Sequence, residues 1–386
     1  MTEWIECTLD KLGEIVGGAT PSTKCEDYYG GSIPWITPKD LSSFKVRYIT
    51  SGERNITEKG LASCSAQMMP KDAVLFTSRA PIGYVAIASQ SVCTNQGFKS
   101  IVVNERADPL FVYYLLKYNK DAIEAMGSGT TFKEVSGKTM RAVKVRIPLD
   151  VSYQKRIAAV LDSLDTKIEN NERINDNLQQ QAAALFSSLY DRSNTEVRFT
   201  DLIQILGGGT PKTGENTYWN GNIAFFTPKD VGIPYTLITE KTISKEGLSH
   251  CNSRLYPVNT VFVTARGTVG KVGMSGVPMA MNQSCYALVG KETHQLLVYF
   301  YTLKAVDRLK HKASGAVFDA ITTRDFESEQ IMKLSDDDAT AFLRVAEPMF
   351  QEVLNNNIEN LRLSTLRDSL LPKLMSGEID VSAVQL

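Results

Sequence analysis

The chain has 386 residues, 43% of them hydrophobic, with 42 Lys and Arg against 43 Asp and Glu, for a formal net charge of −1. That apolar fraction fills real cores, so disorder is excluded as the main state, and the length suits two or three domains. A charge near zero excludes a uniformly basic polyanion binder, though not a local basic patch.

The opening residues, Met1-Thr2-Glu3-Trp4-Ile5-Glu6, are acidic where a signal peptide is basic, and no run approaches the roughly 18 apolar residues of a membrane span. A cytoplasmic location is the expectation. Short β-rich runs follow, such as residues 73–77 (AVLFT), broken by Gly, Pro and Asn, and then a helix near residues 110–120. A long helix is predicted from 153 to about 189. The texture then starts again: β-runs such as 260–264 (TVFVT), a helix near 296–310, and a second long helix from 339 to about 374. Cys7, Cys25, Cys64, Cys93, Cys251 and Cys285 form no C-x-x-C pair. They read as reduced, mostly buried thiols rather than as zinc ligands or a disulfide framework.

The second half repeats the first in sequence as well as in texture. TPSTKCEDYYGGSIPWITPKD, from Thr20, aligns without a gap on TPKTGENTYWNGNIAFFTPKD, from Thr210, with ten identities in 21 positions. Further on Arg79 falls on Arg266, Gly83 on Gly270, Asn95-Gln96 on Asn282-Gln283, Ser128-Gly129 on Ser314-Gly315, and Phe132 on Phe318. The chain is two copies of one α+β unit, each ending in a long helix.

On the first long helix Ile157, Leu161, Leu164, Ile168, Asn171, Asn175 and Leu178 recur at alternating spacings of four and three; Val353, Asn356, Asn360 and Leu363 continue the pattern 185 positions after Ile168 to Leu178. Such a seam belongs to helices packed along their length, and Asn at its middle penalises slipped registers. At about 37 residues, or roughly 55 Å, each helix is longer than a 140-residue domain is wide. The helices are therefore expected to pair as a spacer between two heads.

Charge divides along the same lines. Residues 151–195 carry five basic and six acidic side chains and residues 335–386 four and nine, a net −6 that leaves +5 on the heads. The sign suits heads that approach a polyanion.

Catalytic signatures are scarce. Gly207-Gly208-Gly209-Thr210-Pro211-Lys212-Thr213 lacks the Gly that a phosphate loop places before its Lys, and Pro211 removes a backbone donor. Gly267, Gly270 and Gly273 suit a strand-turn-strand better than a dinucleotide fingerprint. His250, His294 and His311 occur in the second copy alone. There is no H-E-x-x-H or G-x-S-x-G motif and no Asn/Asp-Pro-Pro-Tyr/Phe run. No metal site, cofactor site or catalytic residue is expected in the chain itself.

Several motifs together resemble the specificity subunits of type I restriction-modification systems. Tyr28-Tyr29-Gly30-Gly31-Ser32-Ile33-Pro34-Trp35-Ile36-Thr37-Pro38-Lys39-Asp40-Leu41, with the Thr-Pro openings at 20 and 210, resembles the start of the family's target recognition domains. Residues 154–168 (QKRIAAVLDSLDTKI) resemble the start of its central conserved helix and 371–379 (LPKLMSGEI) its C-terminal end. The second copy departs where Ala339-Thr340-Ala341-Phe342-Leu343 replaces the Gln-Lys-Arg-Ile run, and Ala224-Phe225 replaces Pro34-Trp35.

The resemblance implies target recognition domains over 1–150 and 193–336, a central helix over 151–192 and a C-terminal helix and tail over 337–386, the helices pairing as an antiparallel coiled coil. It implies that each head reads half of a bipartite double-stranded DNA sequence. It implies further that the helices set the gap and dock two methyltransferase subunits carrying S-adenosylmethionine, and that restriction/translocase subunits complete the complex. Candidate DNA contacts are Thr20, Lys39, Arg79, Gln96 and Lys133 in the first head and Thr210, Lys229, Arg266 and Gln283 in the second, because Arg and Gln suit base edges while Thr and Lys suit phosphates. Residues shared by heads that read different sequences suit backbone contacts or the fold better than base choice, so Thr-Pro-Lys-Asp has a turn reading beside its contact reading. Base readers are expected at differing positions, such as Lys133 against Asp319. Trp35, Phe225, Trp219 and Tyr29 read as packing. A competing reading of the whole chain is a tandem scaffold binding protein or glycan; another is an enzyme whose only lead is the doubled Thr-Pro-Lys-Asp.

Overall fold

The computed structural model describes residues 3–384 apart from 43, 45, 130–132, 233 and 313–319. It divides into two compact units, residues 1–169 with 362–386 and residues 170–361. Each takes one head and part of each long helix.

The first unit carries β1 (Trp4–Thr8), β2 (Gly13–Gly17), β3 (Tyr29–Ile36), β4 (Tyr48–Ile49), β5 (Arg54–Ile56), β6 (Val74–Ser78), β7 (Ile82–Ala88), β8 (Cys93–Thr94), β9 (Lys99–Val103), helix α1 (Pro109–Tyr118), β10 (Lys144–Pro148) and the first part of α2 (Val151–Asp191). The strands form a five-stranded sheet in the order β2-β9-β6-β7-β4, a three-stranded sheet β5-β3-β8, and the pair β1-β10. The sheets are mixed, since β4 runs parallel to β7 and β3 to β8. Every residue of β6 is buried, as expected of a central strand covered on both faces. Helix α1 starts where the Asp108 carboxylate accepts the Phe111 amide at 3.0 Å, with Pro109 in the first turn.

The second unit repeats this topology with β11 (Thr195–Arg198), β12 (Ile203–Gly207), β13 (Trp219–Phe226), β14 (Tyr235–Thr236), β15 (Lys241–Ile243), β16 (Val261–Thr264), β17 (Val272–Ser275), β18 (Met279–Met281), β19 (Cys285–Gly290), α3 (Gln295–Lys312), β20 (Gln330–Lys333) and α4 (Asp336–Ser376). Its sheets are β12-β19-β16-β17-β14, β15-β13-β18 and β11-β20. The glycine run at 267–273 belongs to the antiparallel β16–β17 hairpin. Only Cys93 and Cys285 are fully buried, and burial pushes both thiols up to about 12; the other four cysteines are half-buried, fewer covered thiols than the composition suggests.

Within each unit α2 and α4 pack antiparallel: numbers rise along one helix as they fall along the other. In the first unit Asp165 meets Arg367 at 2.6 Å. In the second, Asn171 Nδ2 donates to Asn360 Oδ1 at 2.9 Å, Asn356 Nδ2 donates to Asn175 Oδ1 at 2.9 Å, and the Phe186 and Phe342 rings lie 5.5 Å apart. Ile157, Leu161, Asn171, Asn175, Val353 and Asn356 are buried; Leu164, Ile168, Leu178, Asn360 and Leu363 are half-buried. The deepest positions include Asp165 and Phe186, one residue past Leu164 and Leu185, because a straight helix of 3.6 residues per turn drifts across a 3.5-residue seam. Asn175→Leu alone is expected to cost about 1–3 kcal/mol by stranding the Asn356 amide. Asn175→Leu with Asn356→Leu is expected to melt above the single variant, a comparison that thermal unfolding makes directly.

The two heads dock on their helices by different chemistry. In the first unit Arg47, 5% exposed, bonds the Asp162 carboxylate, the Asp162 carbonyl (3.1 Å), the Thr166 hydroxyl (2.8 Å) and Glu169 (3.0 Å). Beside it the Tyr114 hydroxyl donates to Asp165 at 2.7 Å. Burial, with Asp165 next to it, pushes the Tyr114 phenol far above its ordinary range. In the second unit the repeat places Phe300 where Tyr114 stands, Phe350 where Asp165 stands and Ala182 where Arg367 stands. The Phe300 and Phe350 rings lie 5.5 Å apart, and Phe186 stacks on Phe300 at 4.9 Å. Each solution fills its core: Phe76, Phe111, Ile157 and Leu374 in the first unit, Phe300, Phe342 and Phe350 in the second.

Candidate nucleic-acid interface

The Thr-Pro-Lys-Asp segment ends β3 and β13. Asp40 accepts the Thr37 amide (2.7 Å), the Thr37 hydroxyl (2.6 Å) and the Glu53 amide (2.8 Å). Asp230 accepts the Thr227 amide (2.8 Å), the Thr227 hydroxyl (2.6 Å) and the Glu240 amide (2.7 Å). Thr and Asp thus build the turn, and the Lys between them points outward. Lys39 and Lys229 have side chains 77% and 79% exposed, held by Glu53 at 2.7 Å and Glu240 at 3.6 Å.

Against this turn lies the Asn-Gln loop. Thr20 Oγ1 donates to Gln96 Oε1, and Thr210 Oγ1 to Gln283 Oε1, so each Gln keeps its amide hydrogens for an outside acceptor. The glycine two residues before each Thr-Pro opening makes room for this: a Cβ on Gly18 would sit 2.1 Å from the Asn95 carbonyl oxygen, and one on Gly208 2.1 Å from that of Asn282. The Ser78 amide donates to the Gly97 carbonyl at 2.7 Å, tying the end of β6, next to Arg79, to the same loop. Arg79 faces Glu134 at 3.6 Å. Its counterpart Arg266 faces Ala320, is exposed, and has no ion pair among the described residues.

In the second head Thr227, Lys229, Lys241, Arg266, Asn282 and Ser284 line one surface depression of about 380 Å³. Of the sequence-derived candidates of that head, Lys229 and Arg266 line it, while Gln283, bonded to Thr210, sits between its lining residues Asn282 and Ser284. Lys133 is exposed on a loop of the first head closed by paired backbone bonds between Ser128 and Glu134 (3.0 and 2.9 Å). Thr130, Thr131 and Phe132, and Ser314, Gly315, Phe318 and Asp319 opposite them in the repeat, lie outside the described residues.

Trp35 and Phe225 are buried, and Tyr29 and Trp219 meet them edge-on at 6.0 and 5.5 Å, which is packing. Sequence reasoning missed the cations on those outer rings: Arg54 lies 4.8 Å above Tyr29 and Lys241 5.6 Å above Trp219. The signal was present in the alignment of Arg54-Asn55-Ile56 on Lys241-Thr242-Ile243. It missed Arg47 altogether.

Hydroxyl, amide, guanidinium and ammonium donors on one face suit phosphates and base edges. Among the described residues no group of three or more His, Cys, Asp and Glu could hold a metal ion, and no helix is long and apolar enough to cross a membrane.

A family model for the type I restriction modification DNA specificity domain matches residues 1–180 and 192–333. The chain is 30% identical to the type I restriction enzyme MjaIX specificity subunit of Methanocaldococcus jannaschii, over 98% of this chain and 94% of that one. It is 24% identical to the HindI specificity subunit of Haemophilus influenzae, over 73% and 80%. Its fold is similar to the crystal structure of the S subunit of a type I restriction-modification system from M. genitalium, with a TM-score of 0.64 at 16% identity, covering 97% of this chain and 96% of that one. Twice-repeated donor faces, paired helices and the family match agree: the chain belongs to the specificity subunits of type I restriction-modification systems.

Proposed function

We propose that each head reads one half of a split DNA sequence through the face where its Thr-Pro, Thr-Pro-Lys-Asp, Asn-Gln and Arg loops converge. The observation that carries this reading is the recurrence of one donor set, Thr20, Lys39, Arg79 and Gln96 against Thr210, Lys229, Arg266 and Gln283, on the same loops of both heads. As a member of its family the chain is a DNA sequence-recognition subunit, with DNA and the methyltransferase and restriction subunits as its partners. In the finer reading the paired helices dock two methyltransferase subunits, which bind S-adenosylmethionine, and motor-nuclease subunits join that core for restriction. The catalytic work then lies in those subunits, and this chain supplies the address. Its heads sum to +5 and its helical segments to −6, which supports DNA on the former and not on the latter.

The test is methylome sequencing of a host expressing the chain with its methyltransferase subunit. A split motif methylated on both strands is expected. Replacing residues 193–336 with the head of another specificity subunit should change one half of that motif, and lengthening the helices should change the unread gap alone. A head exchange that altered both halves together, or neither, overturns the reading.

A further inference from the structure

Arg54 and Lys241 occupy the same place in the repeat, one residue after the acid that holds the Thr-Pro-Lys-Asp lysine, and neither is an invariant of the two copies. Both are exposed. Each leaves its strand beside the Trp35 or Phe225 position, since Arg54 pairs with Trp35 and Lys241 with Phe225 in register. Each cation is laid over an aromatic ring that is itself fastened down. The Tyr29 hydroxyl donates to the Pro21 carbonyl at 2.8 Å, and Trp219 Nε1 donates to the Lys212 carbonyl at 3.2 Å. The ring thereby links the Thr-Pro opening to the cation, and a cation over a ring face is restrained without losing its charge or its N–H donors. Lys241 also lines the depression that holds Lys229 and Arg266.

A residue that selects bases must satisfy two conditions here. It has to stand on the contact face, and it has to differ between heads that read different half-sequences. The shared Thr, Lys, Arg and Gln meet the first condition only. Arg54 and Lys241 meet both, and the difference between them is chemically meaningful. A guanidinium offers a planar fork that matches the O6 and N7 of guanine, whereas an ammonium is a point donor with looser geometry.

We propose that Arg54 and Lys241 are base-selecting residues, each setting the preference at one position of the half-sequence its head reads. The proposal rests on the reading of the heads as DNA readers. The ring under each cation serves as a positioning residue: it holds the donor at a fixed height above the Thr-Pro loop.

The experiment uses the full chain with its methyltransferase subunit and sequences the methylome for the wild type and for Arg54→Gln, Arg54→Lys, Lys241→Gln and Lys241→Arg. Arg54→Gln is expected to relax one position of one half-sequence by about 10-fold to 100-fold in relative methylation and to leave the other half unchanged. Lys241→Gln is expected to do the same in the other half, with Lys241→Arg sharpening that position toward guanine. Arg54→Lys should relax its position less than Arg54→Gln. Co-purification of each variant with the methyltransferase subunit confirms an assembled complex. A fall in methylation that is uniform across all sites makes these residues phosphate contacts and overturns the proposal. So does an unchanged motif in all four variants. Absence of a split motif in the wild type is a different result, because it removes the underlying reading of the heads.

Discussion

Arg47→Ala is expected to destabilise the first unit by about 3 kcal/mol, measured as the shift in its unfolding midpoint in denaturant. Arg47 is 5% exposed and is the cation for two carboxylates of α2, Asp162 and Glu169. Truncation leaves those carboxylates beside a cavity. Their side chains retain 34% and 22% exposure, so water softens the loss and the figure falls at the low end for a buried pair. Asp162 marks the same environment: desolvation raises its carboxyl above the ordinary range even with Arg47 beside it. The second unit offers an internal control. There the repeat puts Pro234 in the place of Arg47, whose carbonyl likewise receives an amide of the neighbouring strand, from Met274 at 2.6 Å as Arg47 receives Ile87 at 2.8 Å. Pro234→Ala should shift the midpoint far less, since it strands no charge.

Arg266→Ala is expected to lower DNA affinity at moderate salt and to reduce the slope of log affinity against log salt by about 0.9, the value for one phosphate deprived of its neutralising cation. Arg79→Ala should reduce the slope by less. The difference follows from the partners: Glu134 stands 3.6 Å from Arg79 and already answers its charge, while Ala320 faces Arg266. Lys229→Ala with Arg266→Ala should reduce the slope by more than about 0.9 but by less than about 1.8, because Glu240 stands 3.6 Å from Lys229 and partly answers its charge. A salt titration of the assembled complex on a fixed duplex measures all three. Equal slopes for the Arg79 and Arg266 variants would count against the placement of Arg266 on the DNA face.

The repeat made most of the architecture legible. Two copies of a strand pattern, each closing in a seam of Leu, Ile and Asn, specify paired long helices before any coordinate is known, because periodicity survives without partners. The donor loops were legible for the same reason: Thr20 and Thr210, or Gln96 and Gln283, stand out only against each other. What escaped was everything that depends on one residue meeting another far away in the chain. Arg47 reaches Asp162 and Glu169, and Tyr114 reaches Asp165, with no spacing to announce either. Asp165 carries no sign of burial in the sequence, because Leu164 fills the expected seam position. The role of Thr-Pro-Lys-Asp was decided by three hydrogen bonds to each Asp, which separate the turn-building residues from the displayed Lys.

The Tyr114–Asp165–Arg367 cluster has a further consequence for how the halves of this protein recognise each other. An antiparallel seam in a duplicated chain is open to self-association of either half. Two copies of α2 would set Asp165 against Ala182, a buried carboxylate with no cation. Two copies of α4 would set Arg367 against Phe350, a half-buried guanidinium left with only its helix neighbour Asp368 at 2.8 Å. Only the mixed pairing answers both charges, since Arg367 meets Asp165 at 2.6 Å while Ala182 leaves space for the aromatic cluster around Phe186 and Phe350. The twins of the duplication have become complementary rather than interchangeable, and the seam sorts unlike halves together.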